Sequence, residues 1–119
     1  MMISGSLMPA AAFAHHSFAM FDTSKPGTIT GTVEDFEWSN PHCWLDIVVV
    51  GSGSQDGKWS FEGQSVSMLA RKGWSKTSIK PGDKITIGYY PNKSGSKSGA
   101  VRTVTLANGT VLGSYAAAE

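Results

Sequence analysis

Three histidines carry most of the chemistry open to this chain, and they stand in two places. His42 lies inside Trp38-Ser39-Asn40-Pro41-His42-Cys43-Trp44, while His15 and His16 follow Ala12-Phe13-Ala14. Small residues at Ala12 and Ala14 ahead of a polar pair have the form of a leader-cleavage site. Cleavage after Ala14 makes His15 the new N-terminus, where its α-amine and ring Nδ1 can close a chelate ring on one metal ion. Both groups titrate low enough, at about 7.7–8.0 and about 6.5 in unperturbed form, to release their protons to a metal at mild pH. His42 supplies a third nitrogen, and such a nitrogen set suits Cu(II), the divalent ion these donors hold best. His16 is an alternative or additional ligand. Cleavage one residue earlier would make it the third residue of a square-planar Cu(II) or Ni(II) site, but Phe13 at the scissile bond argues against that cut. The bland alternative is a solvated histidine head, with His42 doing no more than satisfying a turn carbonyl.

Other reactive side chains fit structural roles better. Cys43 neighbours His42, yet adjacent residues of an extended segment point to opposite faces, so Cys43 reads as a small buried hydrophobe. Met20 is a soft donor suited to Cu(I) and is expected to pack instead. Aromatic residues around the Asn-Pro break define a second candidate site. There Phe18, Phe21, Trp38, Asn40 and Trp44 form a mouth able to dock a small molecule or a protein. Neither Gly51-Ser-Gly-Ser-Gln55 nor Gly95-Ser-Lys-Ser-Gly99 is a nucleophile elbow, and no phosphate-binding loop or dinucleotide fingerprint occurs. Glu34, Asp35 and Glu37 are split between strand faces, so the expectation is a non-catalytic protein. The basic loop from Lys93 to Arg102 would suit single-stranded nucleic acid. A formal charge of only +1 on an exported chain argues against that partner. Charge is nonetheless polarised. Lys25 faces five acidic residues in 1–50, whereas nine basic residues face Asp56, Glu62, Asp83 and Glu119 in 51–119.

Positioning those residues falls to a set of short strands. Ile29, Gly31 and Val33 share one face at period two, and Phe36 and Trp38 continue on the other parity. That phase change near Glu34-Asp35 predicts a β-bulge and a bent first strand. Asn40-Pro41 then breaks the ladder, since proline fixes φ and donates no N–H. Leu45, Ile47 and Val49 alternate as a second strand, and Trp59 and Phe61 as a third beyond the Gly/Ser loop at 51–57. Val66, Leu69 and Ala70 change the period to that of a helix, with Ser65 as N-cap and Gly73 as terminator. Lys80-Pro81-Gly82-Asp83 has the form of a type II turn. Ile85, Ile87 and Tyr89 make a fourth strand, and Val101 to Leu106 a fifth. Asn108-Gly109 can return Val111-Leu112 beside the fifth strand. Trp74 is expected to plug one end.

This order predicts an all-β, five-stranded OB-like barrel with one short helix between strands three and four, in preference to a small open β-roll. A chain of 119 residues has room for one such domain. The expected organisation is a leader remnant at 1–14 with its true start upstream, the barrel at 15–113, and a frayed tail at 114–119. The leader places the protein in the periplasm or outside the cell. A single cysteine forms no internal disulfide, and no run approaches the ~20 apolar residues of a membrane span.

Taken together, several segments resemble the small exported bacterial family known as domain of unknown function 6152. They are Ala14-His-His-Ser-Phe18, Gly31-Thr-Val33, Trp38-Ser-Asn-Pro-His42, Trp59 with Glu62, Leu69-Ala-Arg71 with Gly73-Trp74, Lys80-Pro-Gly-Asp83, and Val104-Thr-Leu106 with Gly109. The resemblance spans nearly all of the mature chain and implies export and a compact β domain, with no activity attached. Cys43 stands where a small or aliphatic residue is expected. The resemblance joins the His-His head to the Asn-Pro-His turn, as a shared site would require.

Overall fold

A computed structural model describes residues 18–115. Its strands are β1 (Gly27–Glu37), β2 (Trp44–Val49), β3 (Gly57–Glu62), β4 (Lys84–Pro91), β5 (Ser98–Thr105) and β6 (Val111–Gly113), with one helix, α1 (Val66–Arg71), between β3 and β4. Antiparallel neighbours run in the order β3-β2-β1-β4-β5-β6, and a parallel β3–β5 pairing closes the first five strands into a barrel. The OB-like architecture follows from how β1 is used. Its first half pairs with β4 from Gly27 to Thr32, and its second with β2 from Thr32 to Glu37. The bulge that permits this bend lies between Val33 and Asp35, where the hydrophobic parity switches.

Inward positions of each strand fill the barrel: Ile29 and Val33, Leu45, Ile47 and Val49, Trp59 and Phe61, Ile85, Ile87 and Tyr89, and Val101 and Val104. The Lys80–Asp83 turn docks on the bulge, with Val33 N–H donating to Asp83 O and Gly82 N–H to Val33 O, each at 2.8 Å. Gly82 has φ +94°, the left-handed position that a type II turn requires.

The ends of α1 are satisfied by the residues that marked it in the sequence. Ser65 Oγ accepts from Met68 N–H, and Asn40 Oδ1 accepts from Val66 N–H at 3.0 Å. At the other end Gly73 N–H donates to Ala70 O and Trp74 N–H to Leu69 O, a Schellman pair made possible by φ +96° at Gly73. This turn delivers Trp74 into the core, where its indole N–H donates to Gly113 O at 2.8 Å.

Two expectations about packing are corrected. Met20 is half exposed rather than packed. Ser114 and Tyr115, read as the start of a frayed tail, belong to the fold. Ser114 is 2% exposed, its N–H donates to Arg102 O, and Tyr115 N–H donates to Val101 O. The β6 hairpin carries the chain back along β5 to the end of β3, so these residues are tied down by ladder hydrogen bonds.

Where β1 serves two partners the backbones come very close. A Cβ on Gly31 would lie 2.7 Å from Val48 O and 2.9 Å from Ile47 Cδ1. Because the nearer obstacle is backbone, Gly31→Ala is expected to cost about 1–3 kcal/mol. For a domain of this size, that lowers the melting midpoint by roughly 4–8 °C per kcal/mol. A thermal melt unchanged by the substitution would contradict this packing.

Candidate functional site

The connection between β1 and β2 is fixed by its own polar groups and by the end of β3. Ser39 Oγ donates to His42 O at 3.0 Å, and the Cys43 thiol donates to Ser39 O. Cys43 N–H donates to Gln64 O, and Gly63 N–H returns to Cys43 O at 2.7 Å. These bonds set His42 beside the last residue of β3, Glu62. Its Nδ1 lies 3.2 Å from Glu62 Oε2, 3.1 Å from Gly63 O and 3.2 Å from the Tyr115 hydroxyl. That hydroxyl lies 3.0 Å from Glu62 Oε2 and 3.1 Å from Gly63 O.

Glu62 points away from the barrel interior, yet it is only 8% exposed because the C-terminal segment covers it. A carboxylate so buried needs partners, and His42 and Tyr115 provide them. Burial is the main cause that raises the Tyr115 phenol above its ordinary range, and the Glu62 carboxylate adds to it. Tyr115 therefore remains an O–H donor at working pH. Lys72 ties the segment to the helix, donating to Gln64 Oε1 at 2.8 Å and to Ser114 O. The His42 side chain is 36% exposed, and its Nε2 has no partner among the described residues. The cluster can orient a ring nitrogen toward a ligand.

Tyr115 also links His42 to the N-terminal side of the domain. Its ring centroid is 5.1 Å from that of Phe18, which packs in turn on Phe21 at 5.8 Å and Tyr90 at 6.3 Å. His15 and His16 lie outside the described residues. His15 is three residues from Phe18, so it can reach at most about 10 Å from that point. Among the described residues no three His, Cys, Asp or Glu side chains group as a metal cluster.

The aromatic residues expected at one mouth are divided between two clusters. Phe18 and Phe21 belong with Tyr90, Ala100 and Tyr115, and Phe21 is buried. Trp38 lies against the main core and contacts Phe36, which in turn contacts Trp74. Asn40 is exposed, but its Oδ1 is committed to α1. Trp44 is 38% exposed and is the one indole here with a large free surface.

Cys43 is 1% exposed, and burial, the largest cause, raises its thiol above the ordinary range. It is expected to resist an aromatic disulfide reagent at about pH 8 in the folded protein and to react at once in denaturant. Prompt reaction in native buffer would contradict that burial.

Sequence reasoning missed Tyr115 and the burial of Glu62. Alternation along β3 directs Glu62 outward, and nothing local reveals a segment more than fifty residues later folding over it. The only hint is one aromatic residue in an otherwise small and polar tail. Among the described residues no helix is long and apolar enough to cross a membrane.

A family model described as "Family of unknown function (DUF6152)" matches residues 4–102, a span that includes all three histidines and Glu62 but stops short of Tyr115. No curated protein matches the chain.

Proposed function

The chain belongs to this family of unknown function, and from that premise we propose that it is an exported, periplasmic β-barrel binding module without catalytic activity. Its ligand is Cu(II), held by the amine and ring of a processed N-terminal His15 together with His42, and the protein acts as a copper carrier or sensor. One observation carries this reading. Phe18 packs on the same Tyr115 whose hydroxyl meets His42, which keeps the N-terminal side of the domain within reach of that imidazole. The leader-like residues up to Ala14 and the nitrogen-only donor set support it further. His16 is available as a fourth nitrogen.

Intact-mass analysis of material exported by a native host tests the premise, since the chelate needs a chain that starts at His15. Cu(II) titration of that material, followed by the d–d band, tests the ligand set. A mass that still includes residues 1–14 would sink both export and the chelate.

The 38% exposure of Trp44, two residues from His42, favours a second reading in which an aromatic surface docks a small molecule or a protein. Trp44→Ala would abolish that docking and leave copper binding unchanged.

A further inference from the structure

We propose that Glu62, oriented by the Tyr115 hydroxyl, is a positioning residue that holds neutral His42 as its Nδ1–H tautomer and so presents Nε2 as the ligand atom. The reasoning is a proton count. Two of the three groups around Nδ1, the Gly63 carbonyl at 3.1 Å and the Glu62 carboxylate at 3.2 Å, can only accept hydrogen bonds. Tyr115 has a single proton, which it can donate to Glu62 at 3.0 Å. With the proton on Nδ1, that N–H meets an acceptor and the Tyr115 O–H is left free to donate to Glu62. Moved to Nε2, the proton would leave the Nδ1 lone pair facing two acceptors. Only the Tyr115 proton could relieve that contact, and it would then be withdrawn from the buried carboxylate.

The tautomer matters because a metal-binding imidazole uses one nitrogen for the metal, while its other N–H is held by a carboxylate or a backbone carbonyl. His42 has both kinds of acceptor at Nδ1, with a partly exposed side chain and no partner at Nε2 among the described residues. Copper enters only as the ligand's identity, and in that respect the inference rests on the function proposed above. The tautomer itself does not.

Two-bond proton–nitrogen correlation of the His42 ring in the metal-free full chain, at about pH 9 and so well above the ordinary imidazole range, reads the tautomer directly. The wild-type ring is expected to show a protonated, pyrrole-like Nδ1 and an unprotonated, pyridine-like Nε2. Glu62→Gln, whose amide N–H can donate to Nδ1, is expected to invert the pattern and to weaken Cu(II) binding by about tenfold to a hundredfold. Tyr115→Phe removes the one proton that could relieve the Nε2–H form and is expected to leave Nδ1 protonated. A wild-type ring in the Nε2–H form, or an unchanged pattern in Glu62→Gln, would overturn the proposal. A Tyr115→Phe ring in the Nε2–H form would contradict the proton count. Because the spectrum is recorded without metal, its failure would leave the copper reading standing. A locked ring that binds no copper would sink only the latter.

Discussion

Phe61→Ala is expected to remove about 3–5 kcal/mol of stability, a large part of the 5–15 kcal/mol usual for a domain of this size. Phe61 is fully buried. It lies stacked on Trp59, with centroids 5.8 Å apart and planes 7° from parallel, and meets Tyr89 edge-on at 5.2 Å. It also stands on β3 within the short parallel pairing that closes the barrel, opposite Gly99. Truncation would leave a void bounded by two rigid aromatic rings and two hydrogen-bonded strands, none of which can collapse into it cheaply. A urea titration should show the midpoint falling steeply while the slope stays constant, since the folded and unfolded states keep their compactness. A loss below about 1 kcal/mol would mean that this ring is not the centre of the closed barrel.

The second large effect concerns binding. His42→Ala is expected to lower Cu(II) affinity about a hundredfold or more, which is some 2.8 kcal/mol at 1.4 kcal/mol per decade. It removes the only donor that the barrel contributes to the proposed site. The fold should survive, because the side chain is 36% exposed. Stability still falls by about 1–3 kcal/mol, since Glu62 keeps Tyr115 but loses its imidazole partner. Affinity is therefore compared at a temperature where circular dichroism shows both proteins folded. An unaltered copper titration in His42→Ala would exclude His42 from the site.

These two effects divide along what the sequence makes legible. Phe61, Ile47 and Ile87 were readable as core because strict alternation in a strand leaves one face for the interior. Ser65 and Gly73 marked the helix correctly, since capping and the left-handed exit are local chemistry, decided within a few residues. The bulge after Val33 was visible as a change of parity. His42 stood out by residue type and by the proline before it. Its partners did not. Glu62 and Tyr115 meet across 53 residues, and His42 and Tyr115 across 73, so their pairing exists only once β6 has paired with β5 and reached the end of β3. Likewise Phe21, expected at an open mouth, is covered because its backbone bridges to Asn92 and its ring joins Tyr90 and Ala100. Contacts of that kind are properties of the closed barrel, and no local pattern encodes them.

Cu(II) titration of two chains that both begin at His15, one with a free α-amine and the other with that amine acetylated, tests the proposed site most directly. The chelate needs a free α-amine on the histidine itself, and acetylation turns that amine into an amide without making His16 the third residue of the chain. The expected result is a d–d band from a nitrogen-rich site in the free-amine chain and an affinity lower by about a hundredfold in the acetylated one, or ~2.8 kcal/mol. Equal binding by the two chains would contradict the copper site.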